Sequence, residues 1–315
     1  MSFLFGPVPS RRLGRSLGVD LVPPKTCCYD CIYCEVGPTT HLTVSRRVFM
    51  PPQAVLEELE DYLRENPGAP EVITLAGSGE PTLNAGLGEI LRGIQDLTHL
   101  PVALLTNGAL LHLPEVRREA ARADLVLPSL DTAREETFRR LNRPHPHLCL
   151  ETLLAGLRAF RREFAGRLWL EVMLLRGLND TEAELSALRR AIAEVTPDKV
   201  QLNTAVRPVV EESAQPLSPT EMAQAAAFLG GEVEVEVIAA APAASGTPLN
   251  VLDEAYLKML ARRPMTAPDL ARALGLATDE VAARLAELAR RGLIRREQHR
   301  QEAFYRTAPQ AAARL

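Results

Sequence analysis

Lysine is nearly missing from this 315-residue chain, which has 3 lysines against 33 arginines. The arginines are spread along the whole length, so the bias is better read as coding preference than as a device for gripping nucleic acid. A formal net charge of -4 also excludes a general polyanion binder. The last 63 residues, from Asp253, carry 12 basic against 8 acidic side chains, which leaves -8 for the preceding 252. That asymmetry is too mild for a basic tail. No stretch approaches the roughly 18 consecutive apolar residues of a membrane span. The opening Met1 to Pro7 has too short an apolar run for a signal peptide, with no basic residue ahead of it. A cytoplasmic protein with no membrane association is therefore expected. There are only five cysteines, an odd number, and four of them crowd into one loop from Cys27 to Cys34, so they do not form a disulfide framework. A phosphate-binding Gly-Lys-Ser/Thr loop is absent, as is any close internal repeat. With 46% hydrophobic and 24% charged residues the chain is not disordered, and its length suits a large core with a small second unit.

What the sequence does contain is centred on Cys27-Cys28-Tyr29-Asp30-Cys31-Ile32-Tyr33-Cys34. Cys27, Cys31 and Cys34 have the spacing Cys-x3-Cys-x2-Cys, enough to place three thiolates around one face of an iron-sulfur cube. Three ligands for four irons leave one iron open to a substrate or cosubstrate, which makes a reactive centre rather than a sealed electron carrier. Cys28, directly adjacent to Cys27, is expected to point away. Two alternatives stand beside this reading. Cys31-x2-Cys34 alone is also half of a zinc site or a thiol-disulfide pair. Zinc needs four ligands, and because no second Cys-x2-Cys exists, only His145, His147 and Cys149, far downstream, could complete the site.

At these residues, with an aromatic Tyr33 just before the last cysteine, the chain resembles the radical S-adenosylmethionine (SAM) superfamily. The resemblance implies a [4Fe-4S] cluster whose open iron is chelated by SAM. It also implies a reductant such as flavodoxin or ferredoxin, and reductive cleavage of SAM to methionine and a 5'-deoxyadenosyl radical that attacks the substrate. Gly6-Pro-Val-Pro-Ser-Arg-Arg-Leu-Gly14 and Ser78-Gly-Glu-Pro-Thr-Leu83 look like the iron-sulfur oxidoreductase group related to wyosine-type tRNA base-modifying enzymes. This chain has no second three-cysteine set and lacks a basic surface, both of which set it apart from those enzymes.

The remaining pattern is alternating α/β. Gly6 to Arg15 reads as a polar, turn-rich, basic lead. Expected strands are Ser16 to Val22, Val72 to Leu75, Val102 to Leu105, Leu125 to Leu127, Leu168 to Leu175, Lys199 to Leu202 and Val233 to Ile238. Between them fall helices over Pro51 to Glu65, Leu87 to Leu97, Pro114 to Arg122, a broken stretch from Arg134 to Phe164, Thr181 to Val195 and Ser218 to Leu229. Six strand-helix units would form a partial TIM-like (βα)6 barrel, the fold the resemblance also implies, with the last strand as an extra edge. Its active mouth would lie beyond the C-terminal ends of the strands.

Several candidate contacts fall on that rim. Gly77, Ser78, Gly79, Glu80 and Pro81 follow the second strand, where glycines admit close backbone approach. They match the superfamily's Gly-Gly-Glu-type motif, which implies contact with the SAM amino group. A plain strand-to-helix turn would carry the same residues. Asn107, Ser129, Asp131 and Asn203 end later strands and suit ribose hydroxyls, the SAM carboxylate and adenine, although each residue type also serves as a turn or cap. Arg11, Arg12, Arg15, Arg143, Arg176 and Arg207 are weaker candidates for substrate anions. His145, His147 and Cys149 would stand near the mouth.

Residues 1–240 thus read as the barrel, 241–252 as a small-residue linker and 253–315 as a second unit. In that unit, helices at Asp253 to Ala261, from Thr266 to Leu274, and Ala277 to Arg291 precede a hairpin of Leu293 to Arg296 with Ala303 to Arg306. The arrangement resembles a winged helix. Its third helix mixes Asp279, Glu280 and Glu287 with Arg284, Arg290 and Arg291, which favours docking or substrate presentation over duplex DNA binding. The substrate class stays open among RNA, peptide and small molecule, with RNA base modification one of the reactions in view. The rival reading is an iron-sulfur redox sensor that regulates transcription through the winged helix.

Overall fold

The computed structural model describes residues 2–10, 13–238 and 253–308, so Arg11, Arg12 and the 241–252 linker lie outside the described residues. The chain opens with β1 (Leu4–Ser10), β2 (Gly14–Val19) and two short strands, β3 (Thr26–Cys27) and β4 (His41–Leu42), followed by α1 (Pro52–Glu65). Strand-helix alternation continues through β5 (Val72–Leu75), α2 (Leu87–Leu97), β6 (Val102–Thr106), α3 (Pro114–Ala120) and β7 (Leu125–Pro128). Two helices, α4 (Glu135–Asn142) and α5 (Leu150–Glu163), precede β8 (Arg167–Leu174). The set ends with α6 (Glu182–Val195), β9 (Lys199–Thr204), α7 (Pro219–Leu229) and β10 (Glu234–Val237).

Eight strands form one sheet in the order β1-β2-β5-β6-β7-β8-β9-β10. From β2 to β10 every pairing is parallel, so the six expected strand-helix units and the extra edge strand make the partial TIM-like barrel. One element differs from expectation. Gly6 to Ser10, read as a turn-rich lead, belongs to β1, which pairs antiparallel with β2. Its glycine and prolines are tolerated because β1 is an edge strand and its register shifts between Phe5 and Val8. Phe5 lies so flat on Gly18 that a Cβ there would come within 2.0 Å of its ring.

Alternation in β8 shows how the layers sort. Leu168, Leu170, Val172 and Leu174 are buried against the helices, while Trp169, Glu171 and Met173 point to the inner face and are only half-buried. The outer face packs Ile73, Leu104, Val126 and Leu202 against Leu59, Ile90, Leu157, Phe160 and Ile192. The long helical stretch breaks because Arg143, in the left-handed region at φ 43°, ends α4 ahead of Pro144.

A second core follows in α8 (Asp253–Arg262), α9 (Ala267–Leu274), α10 (Thr278–Arg290) and the hairpin of β11 (Ile294–His299) with β12 (Glu302–Thr307). Tyr256, Leu260, Leu270, Val281, Leu285 and Leu288 fill it. Val8 of β1 packs against the same cluster, so this three-helix and wing unit rests on the barrel's free β1 edge.

Candidate active site

The cysteine loop is stitched into the barrel mouth by its backbone. Thr26 and Cys27 pair with His41 and Leu42, and the N–H of Thr43 donates to the Cys27 carbonyl at 2.9 Å. On its other side the N–H of Asp30 donates to the Asn142 carbonyl at 3.0 Å, that of Ile32 to Leu141 at 3.0 Å, and that of His145 to Cys28 at 2.9 Å. The segment from Leu141 to His145 therefore serves as the loop's back support. Cys28 and Tyr29 are buried in the main core, whereas Cys27, Cys31 and Cys34 keep partial access.

Side-chain amides are directed at the sulfurs. Asn107 Nδ2 lies 3.5 Å from Cys27 Sγ, and Asn142 Nδ2 lies 3.7 Å from Cys31 Sγ. Burial, followed by the charge of Glu80, pushes the Cys27 thiol up to about 12. Cys31 and Cys34 are also raised by burial. Three thiols on one loop, two of them with an amide donor at sulfur, form a donor set that fits an iron-sulfur group. Among the described residues no three His, Cys, Asp or Glu side chains gather closely enough to hold a single ion. Cys149 does not join them: it caps α5 in a reciprocal pair with Thr152. His145 and His147 pack ring against ring.

The Gly77 to Pro81 turn is pressed onto the loop. The N–H of Lys25 donates to the Ser78 carbonyl at 2.7 Å, and that of Glu80 to the Thr26 carbonyl at 3.0 Å. A Cβ on Gly79 would lie 2.1 Å from the Thr26 carbonyl oxygen, and one on Gly77 would lie 2.3 Å from the Asp20 carboxyl carbon. Close approach, rather than an unusual φ, is what demands glycine at both positions. Pro81 opens a short 3-10 turn.

Glu80 is 2% exposed and organises two strand ends. Its Oε1 accepts from the Thr82 N–H at 3.0 Å and from the Thr82 and Thr106 hydroxyls, both at 2.6 Å. Its Oε2 accepts from the Asn107 N–H at 2.7 Å. Burial pushes this carboxyl up, against the bonds from Thr106, Thr82 and Asn107. Asp131 is similarly committed: it accepts from the Tyr33 hydroxyl, from Asn142 Nδ2 at 2.7 Å and from the Met173 N–H at 2.9 Å. The structure thus brings Tyr33, Asn107, Asp131 and Glu80 together with the three thiols, but places Glu80 and Asp131 as braces inside the wall. Ser129 sits at the end of β7, where its N–H donates to the Thr106 carbonyl at 3.1 Å. Asn203 is 4% exposed, and neither Nδ2 nor Oδ1 of its amide has a protein partner. A buried amide without partners is uncommon in folded proteins.

Sequence reasoning missed Asp20, Thr82 and Asn142. Asp20 and Asn142 are ordinary polar residues whose partners are distant in sequence, and Thr82 bonds Glu80 two residues away, inside what reads as a plain turn. The anion-binding candidates look different in context: Arg15 pairs with Glu71, Arg143 with Glu211, Arg176 with Glu221 and Arg207 with Glu35.

A cavity of about 960 Å3 adjoins these loops inside the half-barrel. Ser16, Gly18 and Thr74 line it from the sheet, Gly77 from the glycine turn, and Glu35 and Val36 from the segment after Cys34. Met259, Arg262, Met265 and Phe304 line it from the C-terminal unit. The three thiols, Asn107 and Asn203 are not part of its lining.

Parallel strand-helix units, a three-thiol loop at the mouth and a glycine turn behind it define the class. The radical SAM superfamily pattern matches residues 21–188, and the chain belongs to that superfamily, whose members are enzymes that use SAM with an iron-sulfur cluster. Residues 253–311 match the family described as sugar-specific transcriptional regulator TrmB. The chain is similar to a UPF0026 protein of Methanocaldococcus jannaschii, 37% identical over 217 residues, 69% of this chain and 67% of that one. It is also similar to a Brachyspira hyodysenteriae protein named GTPase Obg, 36% identical over 93% of this chain. The chain spans only 43% of that relative's length, and it contains no Gly-Lys-Ser/Thr loop of its own. Among solved structures, TYW1 with a lysine-pyruvate adduct bound aligns at TM-score 0.53 and 19% identity, covering 71% of this chain and 75% of that one, a likeness of fold. Among the described residues no helix is long and apolar enough to cross a membrane.

Proposed function

We propose that Cys27, Cys31 and Cys34 hold a [4Fe-4S] cluster and that Gly77 to Pro81, Asn107, Ser129 and Asn203 form the seat for SAM. The bound cluster and SAM, given an electron from a flavodoxin- or ferredoxin-type donor, supply a 5'-deoxyadenosyl radical that begins chemistry on a substrate in the adjoining cavity, RNA base modification among the candidates. The chain's own residues do the positioning. Asn107 and Asn142 orient and polarise two sulfurs, Asp131 fixes Tyr33 and Asn142, and Glu80 holds the Asn107 backbone in place. Residues 1–240 form the barrel in this reading and 253–315 a docked winged-helix unit. The observation that carries the reading is three partly accessible thiols on one loop with two amide donors aimed at sulfur, beside a turn whose glycines are demanded by contact.

Anaerobic reconstitution tests it. Wild type and the Cys28→Ala and Cys149→Ala variants should bind about four irons per chain and show the broad visible absorbance of a cluster. Cys27→Ala, Cys31→Ala and Cys34→Ala should not. Reduced protein should convert SAM to 5'-deoxyadenosine and methionine, and intact SAM with a loaded, reduced cluster would overturn the enzymatic assignment.

The match of residues 253–311 to a transcriptional regulator family is the one observation that favours the sensor reading. Several contacts oppose it. Arg284 and Arg291 of the C-terminal unit both pair with Asp253, and Arg290 pairs with Glu287. In the wing, Arg306 donates to the Glu35 carbonyl at 3.1 Å and Arg300 to Gln215 at 3.2 Å. These five arginines, which could otherwise meet phosphates, are engaged within the protein.

A further inference from the structure

Asp20 follows β2 and is 5% exposed. Its Oδ2 accepts from the Ser78 N–H at 3.0 Å and from the Ser78 hydroxyl at 2.7 Å, and its carboxyl group lies flush on the α-carbon of Gly77. It thereby sets the first half of the glycine turn. Burial pushes the Asp20 carboxyl up, against the Ser78 bonds and the charge of Arg262. That cation comes from the other unit: Arg262, at the end of α8, places Nε 3.5 Å from Asp20 Oδ2, within ion-pair reach though outside hydrogen-bond geometry. The guanidinium carbon sits 5.2 Å from the centre of the Phe5 ring on β1, and an Arg262 Nη2 donates to the Ser2 carbonyl at 3.4 Å. A second tie lies at the cysteine loop, where Arg306 of β12 donates to the Glu35 carbonyl at 3.1 Å, while the barrel's own Arg207, 7% exposed, holds both Glu35 oxygens at 3.1 and 3.2 Å and feels the charge of Asp269 on α9. The C-terminal unit is thus fastened at the residue after Cys34 and beneath Ser78.

We propose that the winged-helix unit is a working part of the catalytic mouth, with Arg262 a positioning residue: it compensates Asp20, and Asp20 holds the Gly77-Ser78-Gly79 turn in the shape that seats the cosubstrate. The proposal rests on the reading of that turn as part of the SAM site. Removing the guanidinium leaves a buried carboxylate without its cation, which favours its protonation and loosens the Ser78 bonds. The unit therefore acts on SAM binding through a side chain, beyond its role as a wall of the cavity.

The test compares full-length wild type with Arg262→Ala, Arg262→Lys, Asp20→Asn and, as a docking control away from the turn, Arg306→Ala. Hydrogen exchange at the Ser78 amide is read on the metal-free protein, and SAM affinity by calorimetry on the reconstituted protein. Arg262→Ala and Asp20→Asn should speed Ser78 exchange and weaken SAM binding by about tenfold each, within the usual range for coupled sites. Arg262→Lys should recover most of both, and Arg306→Ala should leave both within about twofold. An unchanged Ser78 amide in Arg262→Ala, or an equal rise in Arg306→Ala, would overturn the proposal. If Arg262→Ala does not fold, Asp20→Asn and Arg262→Lys still decide it. Wild-type protein that binds no SAM would sink the cosubstrate reading instead, while the exchange data would still judge the Arg262, Asp20 and Ser78 link.

Discussion

Replacing Glu80 by Gln is the sharpest perturbation of the mouth, because it keeps size and removes only charge and one acceptor. Each carboxylate oxygen of Glu80 faces a backbone donor that cannot turn away: Thr82 N–H at Oε1, 3.0 Å, and Asn107 N–H at Oε2, 2.7 Å. A glutamine has one oxygen. Whichever way its amide is turned, one buried N–H loses its acceptor and meets an NH2 group. Leaving a buried donor unpaired costs about 1–3 kcal/mol, and a bond to a charged acceptor contributes about 1.5–3 kcal/mol. These overlap, so the net loss should be about 2–4 kcal/mol. For a chain of this size that is a drop of roughly 5–15 °C in Tm, at about 2–4 °C per kcal/mol. Circular dichroism melts of metal-free protein under reducing conditions measure it. Because Asn107 also presents its amide to Cys27, iron content after reconstitution should fall in the same variant. A midpoint within about 2 °C of wild type would refute the bracing role assigned to Glu80.

Other consequences can be measured in parallel. Gly79→Ala places a methyl against the Thr26 carbonyl oxygen, a backbone atom that cannot swing aside, so the variant should fail to load iron, while Gly177→Ala, whose Cβ meets nothing within 4 Å and whose cost is the strain of its own left-handed φ of 68°, should lose some stability yet still load it. Asn203→Leu should leave the ligand-free protein as stable as wild type or stabilise it by about 1 kcal/mol, since it removes a buried amide without partners, and yet weaken SAM binding in calorimetry; destabilisation beyond about 2 kcal/mol would show that the amide serves the fold. Full-length protein should bind duplex DNA only weakly at physiological salt, and submicromolar, salt-sensitive binding in a fluorescence anisotropy titration would restore the regulator reading.

Much of this molecule was legible in the sequence because it depends on local pattern. The three-thiol spacing, the Gly-Ser-Gly-Glu-Pro turn, the six strand-helix units and the three helices with a hairpin each lie within a short stretch whose periodicity or spacing is complete in itself. β1 escaped because Gly6, Pro7 and Pro9 read as breakers, and only the pairing with β2 at a sheet edge makes a strand of them. The roles within the site escaped for a related reason. Asp131 and Glu80 read as ligand contacts from their position at strand ends, but the groups that each carboxylate also accepts from within the protein depend on what surrounds it. Here that is Tyr33, Asn142 and Met173 for one, and Thr82, Thr106 and Asn107 for the other. Asp20 and Arg262, 242 positions apart, become partners only when α8 is laid on the β1 edge. Sequence alone therefore determined the elements and the chemistry-bearing motifs. Tertiary structure decided which polar groups are spent on one another, since burial and hydrogen-bond saturation are properties of the assembled neighbourhood and of no single stretch of chain.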